Sequence, residues 1–124
     1  MKKAISTPAA PAAIGPYSQA IESNGTIYIS GQIPIDPATG NIAETIEEQA
    51  EQVFKNIEAI LQAVDCTMDN VVKTTVLLAD MNHFATVNEI YASHFNAPYP
   101  ARAAYQVSRL PKDVLIEIES IATR

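Results

Sequence analysis

The chain has 124 residues, 48 % of them apolar and 18 % charged, the balance of one globular domain spanning 1–124 and not of a disordered segment. Its formal net charge is −6, with 8 Lys and Arg against 14 Asp and Glu, so a phosphate backbone would meet repulsion and no nucleic-acid partner is expected. Cys66 is the only cysteine, which excludes an internal disulfide and a cysteine-rich metal site, and no apolar run suits a signal peptide or a membrane span. A soluble cytoplasmic chain without membrane, metal or cofactor is expected.

Ala4 to Ser6 is a short strand. Pro8, Pro11 and Gly15-Pro16 then make an ordered, non-helical arm. Tyr17–Ser23 and Thr26–Ile33 flank Asn24-Gly25, the dipeptide a type I′ hairpin turn prefers because both central residues need positive φ. Gly31 lies inside the second of these strands, where it marks either a bulge or the close approach of a ligand to the backbone. Pro34–Gly40 is a loop dense in turn residues.

Thr45 and Glu48 have the spacing of a capping box. Behind them Ile46, Ala50, Val53, Phe54, Ile57, Ile60, Leu61 and Val64 form one apolar stripe, with Glu, Gln, Lys and Asn opposite. This is a helix that packs on a sheet, and nothing in it asks for chemistry. Cys66, in the loop to Asn70, has no neighbouring base or cation and reads as inert. Val71–Leu78 is β-branched and reads as a central strand.

Asp80-Met-Asn82 opens a second helix with Phe84, Val87, Tyr91 and Phe95 at core spacing. His83 and His94 are too far apart for an i, i+4 metal pair and read as surface residues. Asn88, one position off the core stripe, is either exposed or turned inward to a hydrogen bond.

Two more strands end the chain. Pro100 biases Ala101 toward extended backbone, and Arg102 starts the first strand. Glu117 sits between Ile116 and Ile118 in the second, and alternation puts it on one mixed face with Leu115, Glu119 and Ile121. An arginine fork grips a carboxylate through paired hydrogen bonds and keeps its charge. A carboxylate among isoleucines has its charged form disfavoured, which suits a proton acceptor. Otherwise the two simply pair, or lie on a solvated face. The element order is strand, strand, strand, helix, strand, helix, strand, strand. Two helices cannot cover both faces of such a sheet, so one face is left for a partner or a ligand.

Three segments, Ala12–Gln19, Ile29–Pro34 and Pro100-Ala-Arg102 through Glu119, resemble the motifs of the RidA family, also called YjgF or L-PSP endoribonuclease-like. Lys73-Thr-Thr-Val76 and Asn82–Asn88 resemble it as well, so the likeness spans essentially the whole chain. It implies an α+β, chorismate-mutase-like fold: a mixed six-stranded sheet with two helices on one face, in a homotrimer with a central barrel and ligand clefts between neighbours. It implies that the last strand is inserted into the sheet and does not form a hairpin with the strand before it. The activity implied is hydrolysis of 2-imino acids and their enamine tautomers (2-iminobutanoate, 2-iminopropanoate) to 2-oxo acids and ammonia. By this resemblance Arg102 holds the substrate carboxylate and Glu117 orients or deprotonates the water. Tyr17, Ser30, Gly31, Asn88 and Ala104 shape the cleft. Many members carry cysteine where this chain has Ala104, so only backbone can act there. A non-catalytic small-molecule-binding regulator, or a chaperone-like protein, is the alternative. A ribonuclease or translation inhibitor is less favoured by the acidic charge.

Overall fold

The computed structural model describes residues 1–124. Its strands are β1 (Lys3–Ile5), β2 (Ala20–Ser23), β3 (Thr26–Gln32), β4 (Val71–Leu78), β5 (Ala101–Gln106) and β6 (Ile116–Thr123), and its helices are α1 (Ile46–Gln62) and α2 (Phe84–His94). All six strands form one mixed sheet in the order β1-β2-β3-β6-β4-β5. The α+β architecture with both helices on one face is as expected. No helix is long and apolar enough to cross a membrane.

β6 runs antiparallel between β3 and β4, while β5 lies parallel to β4 at the edge. Burial explains why β5 and β6 form no hairpin. Ile116 and Ile118 are fully buried and need neighbours on both sides, whereas the alanine-rich β5 is exposed along nearly its whole length. The Asn24-Gly25 turn has φ values of 53° and 77°, as its dipeptide predicts, and fixes the β2–β3 register.

Thr45 caps α1 by accepting the Glu48 N–H at 3.2 Å. The reciprocal half differs from a capping box: the Glu48 carboxylate accepts from the Thr45 hydroxyl (3.0 Å). The apolar stripe of α1 packs on Ile27, Ile29, Ile116, Ile118 and Ala122. Two amides on this helix are buried as well. Gln49 donates to the Ala43 carbonyl and accepts from the Leu115 N–H, and Asn56 Nδ2 donates to the carbonyls of Ile33 and Ile35. Periodicity marks these positions polar; the loops they pin are what make burial affordable.

His94 is partly covered and not free on the surface. It stacks on Phe54 with centroids 4.5 Å apart and hydrogen-bonds Glu51, because the end of α2 crosses α1 there. His83 is also partly covered, with Nδ1 buried and unpartnered. Cys66 is buried and free.

Candidate functional site

Cross-strand partners share a face, so the register decides where each side chain points. Glu117 lies opposite Leu77, and Leu77 opposite Tyr105. That row is on the face without helices, along with Tyr28, Lys73, Thr75, Glu119 and Ile121. Arg102 lies opposite Thr74, and Thr74 opposite Ser120. Thr74 is buried and shares a 2.7 Å hydrogen bond with the Tyr91 hydroxyl of α2, so this row faces the helices. Arg102 and Glu117 are therefore on opposite faces. Strand spacings put their Cα atoms on the order of 14 Å apart. The simple pairing of the two is ruled out within one chain.

On the open face, Tyr17, Ser30, Gly31 and Glu117 line one groove of about 550 Å³, together with Ile14 and Lys112. Gly31 marks a bulge, and the group that comes close to its backbone is a side chain of the same chain. The β3–β6 register shifts there, between Ile29 and Gln32. A Cβ added to Gly31 would lie 2.9 Å from the carboxyl carbon of Glu117 and overlap its oxygen. Ser30 donates its hydroxyl hydrogen to the Ser18 carbonyl at 2.6 Å, so only its oxygen lone pairs face the groove. Burial pushes the Glu117 carboxyl above the usual carboxylate range, and the negative charge of Glu119 pushes the same way.

On the helix side, Arg102 Nη1 donates to Asn88 Oδ1 at 2.8 Å. Asn88 is thus exposed and hydrogen-bonded at once. The guanidinium carbon sits 4.8 Å from the Tyr91 ring centroid and 5.2 Å from that of Phe84, a cradle that fixes its plane while leaving donors free. Ala104 is partly buried against the core, opposite Val76 and on the same face as Arg102. No group of three or more His, Cys, Asp or Glu side chains could hold a metal ion.

Sequence reasoning missed three features of these surroundings. Phe84 and Tyr91 read as core residues at helical spacing, and nothing in that spacing reveals that their ring faces carry Arg102. Lys112 and Asp113 both adopt φ of 55°, a left-handed pair held by the bidentate Arg109–Asp113 contact (2.7 and 3.2 Å). Gln19 is buried and hydrogen-bonded along the arm; its signal, a polar residue entering an apolar strand next to a proline-rich segment, was present and unused.

A mixed sheet with one bare face thus carries a groove of small-molecule size that ends in a half-buried carboxylate. A sequence model of the Endoribonuclease L-PSP family matches residues 7–124, and the chain belongs to that family. Among its relatives, a mouse protein named 2-iminobutanoate/2-iminopropanoate deaminase is 56 % identical over 125 residues, covering 100 % of this chain and 93 % of its own. The crystal structure of YyfA from Yersinia pestis, of the conserved Rid family, superposes with a TM-score of 0.97 at 51 % identity, covering 100 % of both chains. That of TdcF from E. coli, with bound serine, has a TM-score of 0.92 at 43 % identity, covering 98 % of both.

Proposed function

We propose that this chain hydrolyses 2-iminobutanoate and 2-iminopropanoate to the 2-oxo acids and ammonia, in a cleft completed by a second copy of the chain within a homotrimer. The observation that carries this reading is the separation of Arg102 and Glu117 onto opposite faces. Each is furnished as half of a site: Arg102 with Asn88 and two aromatic rings, Glu117 with Gly31, Ser30 and Tyr17. A bound imino acid needs both halves, and a neighbouring copy can supply the missing one. The bare sheet face, with Tyr28 and Tyr105 each about half exposed, is the surface such assembly would bury. The activity named for the mouse relative, and the amino acid bound by TdcF, agree with a small carboxylate-bearing substrate.

The chemistry asks for positioning more than force. Arg102 holds the substrate carboxylate in two parallel bonds. Water attacks C2 of the iminium while Glu117 accepts its proton, and the C=N electron pair moves onto nitrogen. The protonated Glu117 then gives that proton to the amino group of the carbinolamine. The C–N bond breaks as C=O forms, the Glu117 carboxylate takes the proton from the carbinolamine hydroxyl, and ammonia leaves and carries that proton away as ammonium. Holding the water beside an already electrophilic carbon is the main contribution. A purely binding role would leave the desolvated carboxylate unused. The ribonuclease activity in the family's name is poorly matched by a net charge of −6.

Release of 2-oxobutanoate from an enzymatically generated imine, with and without this protein, tests the reaction. A rate unchanged by the protein rejects it. Sedimentation at micromolar concentration tests the shared cleft, with trimer expected and a stable monomer incompatible. Gly31→Ala is expected to melt close to wild type, because only the flexible end of Glu117 must move. Turnover is expected to fall on the order of 10²-fold, since the carboxylate is displaced from the water. Near-native kinetics would show that the position of Glu117 does not matter.

A further inference from the structure

The segment between β1 and β2 walls the Glu117 groove, yet it has almost no backbone bonding of its own. Outside the strands, the one backbone–backbone hydrogen bond within residues 6–18 joins the Tyr17 N–H to the Gly15 carbonyl at 2.8 Å. Pro8, Pro11 and Pro16 contribute no N–H at all. Something else must set the path of the arm.

Gln19 is that group. It is 4 % exposed, and its side chain spans the inside of the arm. Oε1 accepts the Thr7 N–H at 2.7 Å. Nε2 donates to the carbonyls of Thr7 (3.1 Å), Ala10 (3.2 Å) and Pro11 (2.7 Å). The backbone around it is tied to the bulge that receives Glu117: the Gln19 carbonyl accepts the Ser30 N–H at 3.0 Å, and the Ser18 carbonyl accepts the Ser30 hydroxyl. From this one residue the arm runs out to Pro11, Ala12, Ile14 and Tyr17, which line the groove with Glu117.

We propose that Gln19 is a positioning residue for the reaction: its amide locks the N-terminal arm into the wall that encloses Glu117 and keeps water away from its carboxyl. This rests on the reading of Glu117 as the proton acceptor. Buried amide groups left without partners are costly, so the lock holds one arrangement and not a range of them. Glu117 is half-buried with the arm in place, and Pro11, Ala12, Ile14 and Tyr17 of the arm line the groove it shares with Ser30 and Gly31. Of charged or titratable groups, Glu119 on the same strand, Lys112 on the preceding turn and Tyr17 on the arm line the groove with it. Its partner across β4, Leu77, and the bulge residues Ser30 and Gly31 carry no charge.

Gln19→Leu keeps the volume and removes every bond. Carbon-13 NMR titration of the Glu117 carboxyl is expected to move down toward the ordinary carboxylate value, as the freed arm admits water. Imine hydrolysis in the same protein is expected to lose about 10²-fold in kcat/KM, through both a raised KM and a lowered kcat, with cooperative melting retained. Gln19→Glu serves if the leucine variant does not fold. It keeps the acceptor for Thr7 but can donate only while protonated, so pyruvate affinity measured by calorimetry should fall more steeply than wild type between about pH 5 and about pH 8. A Gln19→Leu protein whose Glu117 titration and kinetics match wild type overturns the proposal, as does a Gln19→Glu affinity profile parallel to wild type. If wild type fails to hydrolyse the imine but the Glu117 titration still drops in Gln19→Leu, the role of Gln19 stands and the deaminase reading alone falls.

Discussion

Glu117→Gln is expected to lose imine hydrolysis by ~10²–10⁴-fold while still assembling and binding 2-oxo acids, the usual cost of removing a general base. The amide fills the space beside Gly31 but cannot take a proton from water. The same substitution should make the fold more stable at neutral pH. Burial first, and Glu119 second, raise the Glu117 carboxyl above its ordinary value of 4.5. The folded protein therefore holds that proton more tightly than the unfolded chain. The contribution of Glu117 to stability then declines as pH rises from the ordinary value through the raised one. Glutamine carries no such penalty. Its melting temperature should exceed wild type at neutral pH, and the difference should shrink as pH falls through the raised value toward the ordinary 4.5. Near-native turnover would make Glu117 structural; a melting temperature below wild type at neutral pH would contradict the desolvation.

Arg102→Lys is the companion case, because it keeps the charge and removes only the geometry. Lysine cannot keep the bond to Asn88 Oδ1 at 2.8 Å and also present a planar pair of donors to a carboxylate. The guanidinium face now lying over Tyr91 and Phe84 would be replaced by a mobile ammonium. Arg102 is exposed on an edge strand, so folding should be unaffected. Misorientation of this kind costs on the order of 10²-fold in rate even when the ligand still binds. Steady-state kinetics, with calorimetric titration of pyruvate into both proteins, measure the two losses. Equal pyruvate affinity in wild type and Arg102→Lys would remove the carboxylate clamp.

Much of the framework was legible in the residues alone. Local chemistry is sufficient for a turn such as Asn24-Gly25, for the Thr45 cap and for the stripe of α1, because each depends on side chains within a few positions of one another. The charged positions Arg102 and Glu117 stood out for the same reason: alternation along a strand is a local property. The burial that raises Glu117 was not legible: Ile116 and Ile118 point to the helix side, and the cover over Glu117 comes from Gly31 and the groove on the other face.

What the sequence could not decide was how those local pieces meet. The short link Ser108–Asp113 invites a hairpin that would set Ala104 roughly opposite Glu117, and only the family likeness pointed to an inserted last strand. Only the sheet order, with β6 driven between β3 and β4 by the burial of its isoleucines, separates Arg102 and Glu117 onto opposite faces. The choice for Gly31 between a bulge and a close approach was equally non-local, since the group that approaches it lies on β6. Gln49, Asn56, His94 and Gln19 were misplaced or passed over because a polar side chain is exposed by default. Each is covered because a distant segment brings it a hydrogen-bond partner, and pairings of that kind exist only once the chain has folded.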